Sequence, residues 1–259
     1  MSLTLILLAC PVAFLAGLVD AIAGGGGLIQ VPGLLILFPQ ASIVSLLGTN
    51  KLASCCGTAM SSFHYTRTLK IDYRSFAPTL IAAFIGSFIG AKVVSSLQNE
   101  VLKPVIFVLL LIMGIYTLIR KDFGLISRRK LNGLPLQLCS IAIGAGTGFY
   151  DGFFGPGTGS LLMFFLVGLI GYNFLEGSAF AKLANLAANA AALIFFATAQ
   201  KIFYSLAIPM AAFNVLGNLV GAKLAIKKGS GFVRWIFLVV ITGVLIQLLW
   251  QVLVPSLKM

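Results

Sequence analysis

The chain has 259 residues, of which 59% are hydrophobic and only 9% charged, and it carries a net charge of +12. A soluble domain needs a far more polar surface than a mean hydropathy of +1.07 allows, so residues 1–259 are expected to form a single integral membrane domain. The basic residues do not interleave with aromatic ones on one face. They lie in short loops between apolar runs, which argues against nucleic acid as a partner and for a positive-inside arrangement in a lipid bilayer.

Taken in chain order, the first apolar run, roughly 3–23, lacks the basic n-region of a signal peptide and is read as part of the fold. It ends in a glycine-rich break, Asp20-Ala-Ile-Ala-Gly24-Gly25-Gly26-Gly27. Four successive glycines are poor helix. A short apolar piece follows, roughly 28–38, then longer ones at roughly 42–65, 74–97 and 102–119. The second half repeats the series at roughly 134–153, 159–171, 174–198, 203–226 and 232–254, with its own break, Asp151-Gly-Phe-Phe-Gly155-Pro156-Gly157-Thr158-Gly-Ser. The two halves, 1–127 and 128–259, match at an offset of 131 residues without a gap from Asp20 to Lys92. Asp20 meets Asp151, Gly24 meets Gly155, Lys51-Leu52-Ala53 meets Lys182-Leu183-Ala184, and Gly86 and Gly90 meet Gly217 and Gly221. In an apolar chain this marks a carrier built from internal repeats, with the substrate site where equivalent parts of the halves meet.

The second piece of each half is shorter than the ~20 residues a spanning helix needs. Whether it spans or re-enters is open, so eight to ten membrane segments are expected in an all-α fold. Basic clusters at Arg67, Lys70 and Arg74, at Arg120, Lys121, Arg128, Arg129 and Lys130, and at Lys227, Lys228 and Arg234 are assigned to the cytoplasm. The fourth piece then runs outward in one half and inward in the other, so the repeats are inverted. The loop at Gln98-Asn99-Glu100 and both termini face outside.

Lys51 and Lys182 fall about eight or nine residues into their segments, ~13 Å deep in a ~30 Å core. A central lysine is unfavourable by ~2.5–3.5 kcal/mol, so two at equivalent positions call for a reason. One is a pair of cations aimed at an anion; another is that each snorkels or neutralises a carboxylate. Lys51, Ser54 and Thr58 share a helical face by their i, i+3, i+7 spacing, and Lys182, Asn185 and Asn189 repeat it. Free N–H groups and the positive dipole end at the start of each short helix also favour an anion, and unwound backbone inside a membrane must be buried in protein or line a cavity. Asp20 and Asp151 could cap the following turns, pair with the lysines, or relay protons. The glycine pairs Gly86/Gly90 and Gly217/Gly221 are close-packing motifs that serve a homodimer as readily as internal packing. Asn214 and Asn218, one turn apart, are candidates to reach the cavity. Lys92 and Lys223 are expected to snorkel at helix ends. His64 has no repeat mate and is read as interfacial. The four cysteines, Cys10, Cys55, Cys56 and Cys139, are read as small buried side chains, so no metal site, disulfide framework or cofactor is expected.

The stretches AGLVDAIAGGGGLIQVP and GTNKLAS, with GFYDGFFGPGTGSLL and AFAKLANLAANAAAL, closely resemble the paired motifs of the sulfite/organosulfonate exporter family of the TauE/SafE type, over nearly the whole chain. Asn50, Lys51, Asp151, Lys182 and the motif glycines stand where that family has them. The resemblance implies a multi-pass transporter of the bacterial inner membrane moving sulfite, organosulfonates or related sulfur anions. It implies a class of ligand and leaves the ligand itself, the direction and the coupling ion open. With no GxxxxGK[ST] motif, energy is expected from an ion gradient, with a proton one candidate, or from a partner. A passive anion channel with the same site is the alternative. An intramembrane hydrolase using Asp20 and Asp151 is disfavoured, because the Gly-x-Gly-Asp motif expected of an aspartyl protease is absent.

Overall fold

The computed structural model describes residues 3–69, 73–98 and 133–253. Every element among them is helical. The expected segment at 102–119 and the basic cluster from Arg120 to Lys130 lie outside the described residues.

Helix α1, Leu3–Ala23, runs to the first break and stops where Gly24 turns to φ +73°. A left-handed residue there lets the chain leave the helix at little steric cost because glycine has no Cβ. Helix α2 is Gly27–Leu37, α3 is Ile43–Thr68 and α4 is Tyr73–Ser95. The series then restarts with α5, Gly133–Phe153, which ends before Gly155 at φ +94° and Gly157 at φ +81°. Helix α6, Thr158–Phe165, continues into a π-helical turn over Leu166–Ile170. Helix α7, Phe174–Thr198, opens with a capping box in which the Asn173 side chain accepts from the Glu176 N–H and the Glu176 carboxylate accepts from the Asn173 N–H. Helix α8, Tyr204–Leu253, is interrupted at Gly229 (φ +73°), between the two pieces expected at 203–226 and 232–254.

Among the described residues, four stretches are long and apolar enough to cross a membrane: Leu3–Ala23, Phe76–Ser95, Phe174–Thr198 and Tyr204–Gly229. Helices α3 and α5 are comparably long, at 26 and 21 residues, but carry more polar and small side chains. At ~1.5 Å per residue, the 11 residues of α2 reach only about 16 Å, well short of the ~30 Å core.

The distribution of polarity suits a bilayer. Large apolar side chains such as Leu7, Leu15, Ile81, Ile85, Ile208 and Leu216 face outward, while Lys51, Lys182, Asp20, Asp151, Asn189 and Asn218 are buried. Lipid rewards the first arrangement, and the second keeps polar groups among partners.

Packing between the halves is reciprocal. Helix α1 lies along α8, α5 lies along α4, and α3 and α7 pack against each other and against α8 and α4 respectively. The glycine motifs make the closest of these approaches. A Cβ at Gly86 or Gly90 would fall on the α5 backbone at Ala145 and Phe149, and one at Gly217 or Gly221 would fall on α1 at Phe14 and Leu18. These glycine faces are therefore taken up inside the chain. Lys92 and Lys223 are exposed near helix ends. Cys10 is buried, whereas Cys56 is exposed, so the expectation of four buried thiols fails there; all four are free.

Candidate functional site

The two breaks touch each other. Gly24 and Gly159 approach so closely that a Cβ on either would overlap the other's backbone. The Gly24 carbonyl accepts a 3.0 Å bond from the Ser160 N–H, and the Ala23 carbonyl accepts a 2.8 Å bond from the Ser160 hydroxyl. Some N–H groups expected to be free at the helix starts are thus occupied. Ser160 donates to the opposite break, and the Thr158 N–H donates to the Gly155 carbonyl at 3.2 Å. No side chain caps α2 or α6, so neither aspartate serves as an N-cap.

Beside this crossing, each buried lysine meets the aspartate of the other half. Lys51 Nζ lies 2.6 Å from Asp151 Oδ2, and Lys182 Nζ lies 2.8 Å from Asp20 Oδ2. Both lysines are essentially inaccessible, at 2% and 0% exposure. Lysine reaches across because α3 and α7 pack face to face, each with its lysine eight residues from its start. In so dry a place an unpaired ammonium or carboxylate is costly, and a paired one is tolerable.

The equivalent pairs have different surroundings. Asp20 Oδ2 also accepts a hydrogen bond from the Thr58 hydroxyl at 3.3 Å. At the matching place in the other half, Asn189 instead serves the lysine: Lys51 Nζ donates to Asn189 Oδ1 at 3.1 Å, and Asn189 Nδ2 donates to Asn185 Oδ1 at 3.0 Å. One extra bond therefore stabilises a carboxylate, and the other an ammonium.

A small cavity of ≈ 20 Å³ lies between the breaks. That is room for about one water. Its charged lining is Asp20, Lys51 and Asp151. Asn50, Ser54, Asn185 and Asn189 supply polar groups, and Gly24, Gly27, Gly155 and Gly159 supply backbone. Lys182 does not line it, nor do Gly25, Gly26, Gly157 or Thr158. The Asn50 Oδ1 atom is buried without a donor. Among the described residues no cluster of His, Cys, Asp and Glu is suited to a metal.

Asn214 and Asn218 do not reach this cavity, contrary to expectation. Asn214 Nδ2 donates to Gln30 Oε1 at 2.8 Å and to the Ala13 carbonyl at 3.2 Å, while Asn218 Nδ2 donates to Asn214 Oδ1 at 2.8 Å. The cluster ties α8 to α1 and α2, and Gly57 of α3 leaves room for it. Sequence reasoning missed Gln30, whose one available signal was an amide inside an apolar run. His64 sits half-buried near the end of α3.

A family model described as "Sulfite exporter TauE/SafE" matches residues 9–248. The chain is 33% identical over 241 residues to "Probable membrane transporter protein YfcA" of Escherichia coli strain K12, covering 93% of this chain and 88% of that one. It is 35% identical over 223 residues to a "Probable membrane transporter protein" of Haemophilus influenzae, covering 86% of each chain. It is 31% identical over 240 residues to "Probable membrane transporter protein ORF9" of Sinorhizobium, covering 92% of this chain and 89% of that one. No solved structure matches significantly.

Proposed function

Because the chain belongs to the sulfite exporter TauE/SafE family of membrane transporters, we propose that it is a secondary carrier of a small sulfur anion. Sulfite, an organosulfonate or a close relative binds at the crossing of the two breaks and is exported by alternating access in the bacterial inner membrane. The halves 1–127 and 128–259 are inverted repeats of an eight- to ten-segment domain, and they rock about the site.

The observation that carries this reading is the crossed pairing of Lys51 with Asp151 and of Lys182 with Asp20, around a small polar cavity. A purely structural pair of charges has no need of a cavity beside it. A carrier site needs both a cation for the substrate and a counter-charge that holds that cation when the site is empty. Asn50, Ser54, Asn185 and Asn189 supply hydrogen bonds to sulfonate oxygens, with backbone at Gly24, Gly27, Gly155 and Gly159 framing them. The short helices α2 and α6 add their positive ends.

The test is ligand-dependent thermal stabilisation of the detergent-purified protein, since a bound state raises the melting temperature by mass action. The panel holds sulfite, sulfate, thiosulfate, methanesulfonate, sulfoacetate and acetate, each tried also on Lys51→Ala. Stabilisation of the parent by a sulfur anion, lost in Lys51→Ala, supports the site. An equal response in both places the site elsewhere, and silence across the panel removes the sulfur-anion reading.

A further inference from the structure

The two ion pairs are related by the repeat but differ in the ways that matter to a ligand. Lys51 and Asp151 both face the cavity, whereas Lys182 is walled off behind Asp20. Asp20 Oδ2 has two donors, Lys182 and Thr58. Asp151 Oδ2 has the Lys51 ion pair and no hydrogen bond of good geometry. Lys51 also has a second acceptor, Asn189, that can keep hold of it when the aspartate lets go.

The four charges sum to zero. A monovalent anion entering alone would leave a net negative charge in a buried site, and burying an uncompensated charge is prohibitive. Resting on the carrier reading, we propose that the anion binds together with one proton, which Asp151 takes, while Lys182–Asp20 stays closed as a structural clasp. On entry the proton adds to Asp151 Oδ2, the Lys51–Asp151 ion pair breaks, and a Lys51–anion pair forms. On release Lys51 returns to Asp151 and the proton leaves. Charge is conserved at each stage, one proton for each monovalent anion.

The groups that bear on Asp151 are few. Lys51 and Cys55 approach from α3, the Thr158 hydroxyl from the start of α6, Asp20 from α1, and Tyr150 adjoins it on α5. Among the described residues α4 and α6 bring it no ionisable side chain, and α7 brings only Lys182, which Asp20 holds.

The probe is methanesulfonate, which does not itself titrate near neutral pH. The full-length protein in weakly buffered detergent is mixed with it while a pH indicator counts protons. One proton taken up per anion bound is expected. On the alkaline side of the Asp151 titration, the apparent Kd should rise about tenfold per pH unit. In Asp151→Asn, binding should persist with no proton uptake and a flat pH profile. Where Asp151→Asn does not fold, Asp151→Glu keeps the carboxylate and should shift the pH midpoint of binding. Binding without proton uptake in the parent overturns the proposal and leaves the carrier reading intact. Uptake that survives in Asp151→Asn, or a midpoint unmoved in Asp151→Glu, overturns the assignment to Asp151. Failure of methanesulfonate and the whole sulfur-anion panel to bind removes the carrier reading itself.

Discussion

The crossed pairing can be separated from any pairing within one half by a double-mutant cycle. Lys182→Met leaves Asp20 buried with only the Thr58 hydroxyl at 3.3 Å, and Asp20→Asn leaves Lys182 buried beside a neutral amide. Removing one partner of a buried ion pair costs about 3–5 kcal/mol, because the survivor is an uncompensated charge. On the scaling for domains of 150–250 residues, ~2–4 °C per kcal/mol, each single substitution should lower the melting temperature by roughly 6–20 °C. The double substitution Lys182→Met/Asp20→Asn removes both charges together. It should recover most of that loss, since neutral replacements of a whole buried pair are often close to harmless. Lys182→Met/Asp151→Asn joins residues of the same half but of different pairs, so its losses should add. The assay is thermal unfolding in detergent, read by intrinsic fluorescence and by retention of a monodisperse peak. Rescue in the same-half combination, or additivity in the crossed one, would refute the pairing and the site built on it.

Three further outcomes follow from the same geometry. Gly155→Ala places a side chain at φ +94° and 3.0 Å from Lys51 Nζ; it should lose about 1–2 kcal/mol from the left-handed backbone alone and weaken anion binding, both visible in one melting series. Asn214→Leu removes the hydrogen bonds to Gln30 and to the Ala13 carbonyl. It should destabilise by about 1–3 kcal/mol with no change in the anion response, and a lost response would mean that the amide cluster belongs to the site. For orientation, a cysteine at the exposed Gln98 should react in intact cells with a membrane-impermeant thiol reagent, and one at Lys227 only after permeabilisation. The reverse pattern would flip the topology.

The elements were legible because membrane segments announce themselves by length and apolarity, and because the 131-residue offset supplied each boundary twice. The break glycines could be read for the same reason, since no helix former replaces them in either half. Which aspartate each lysine meets could not be read. Spacing places Lys51, Ser54 and Thr58 on one face, yet the partner of that face depends on how α3 and α7 cross. The repeat itself was misleading at Thr58 and Asn189. Equivalent positions suggested equivalent roles, whereas a hydroxyl donates to a carboxylate and an amide oxygen accepts from an ammonium. Gln30 was hidden because its repeat mate is Leu161, so the comparison that exposed the other polar residues was silent there. The exposed Cys56 shows a related limit, since apolar surroundings in sequence do not distinguish a core from a face turned to lipid.

The crossed ion pairs also bear on ancestry. In a two-fold symmetric dimer, residue i of one copy meets residue j of the other, and j meets i. Lys51 with Asp151 and Lys182 with Asp20 have the form that two such copies joined end to end would show. A single repeat, standing alone, would carry a lysine and an aspartate that only a second copy could satisfy. Duplication and fusion of such a gene would have inherited a finished interface, with no new charge required. Halves fused in this way would be free to diverge, and different residues at equivalent positions, such as Thr58 against Asn189, would give each pair its own duty. The two halves produced as separate chains should therefore recombine in one membrane, because each still holds the counter-charge that the other lacks.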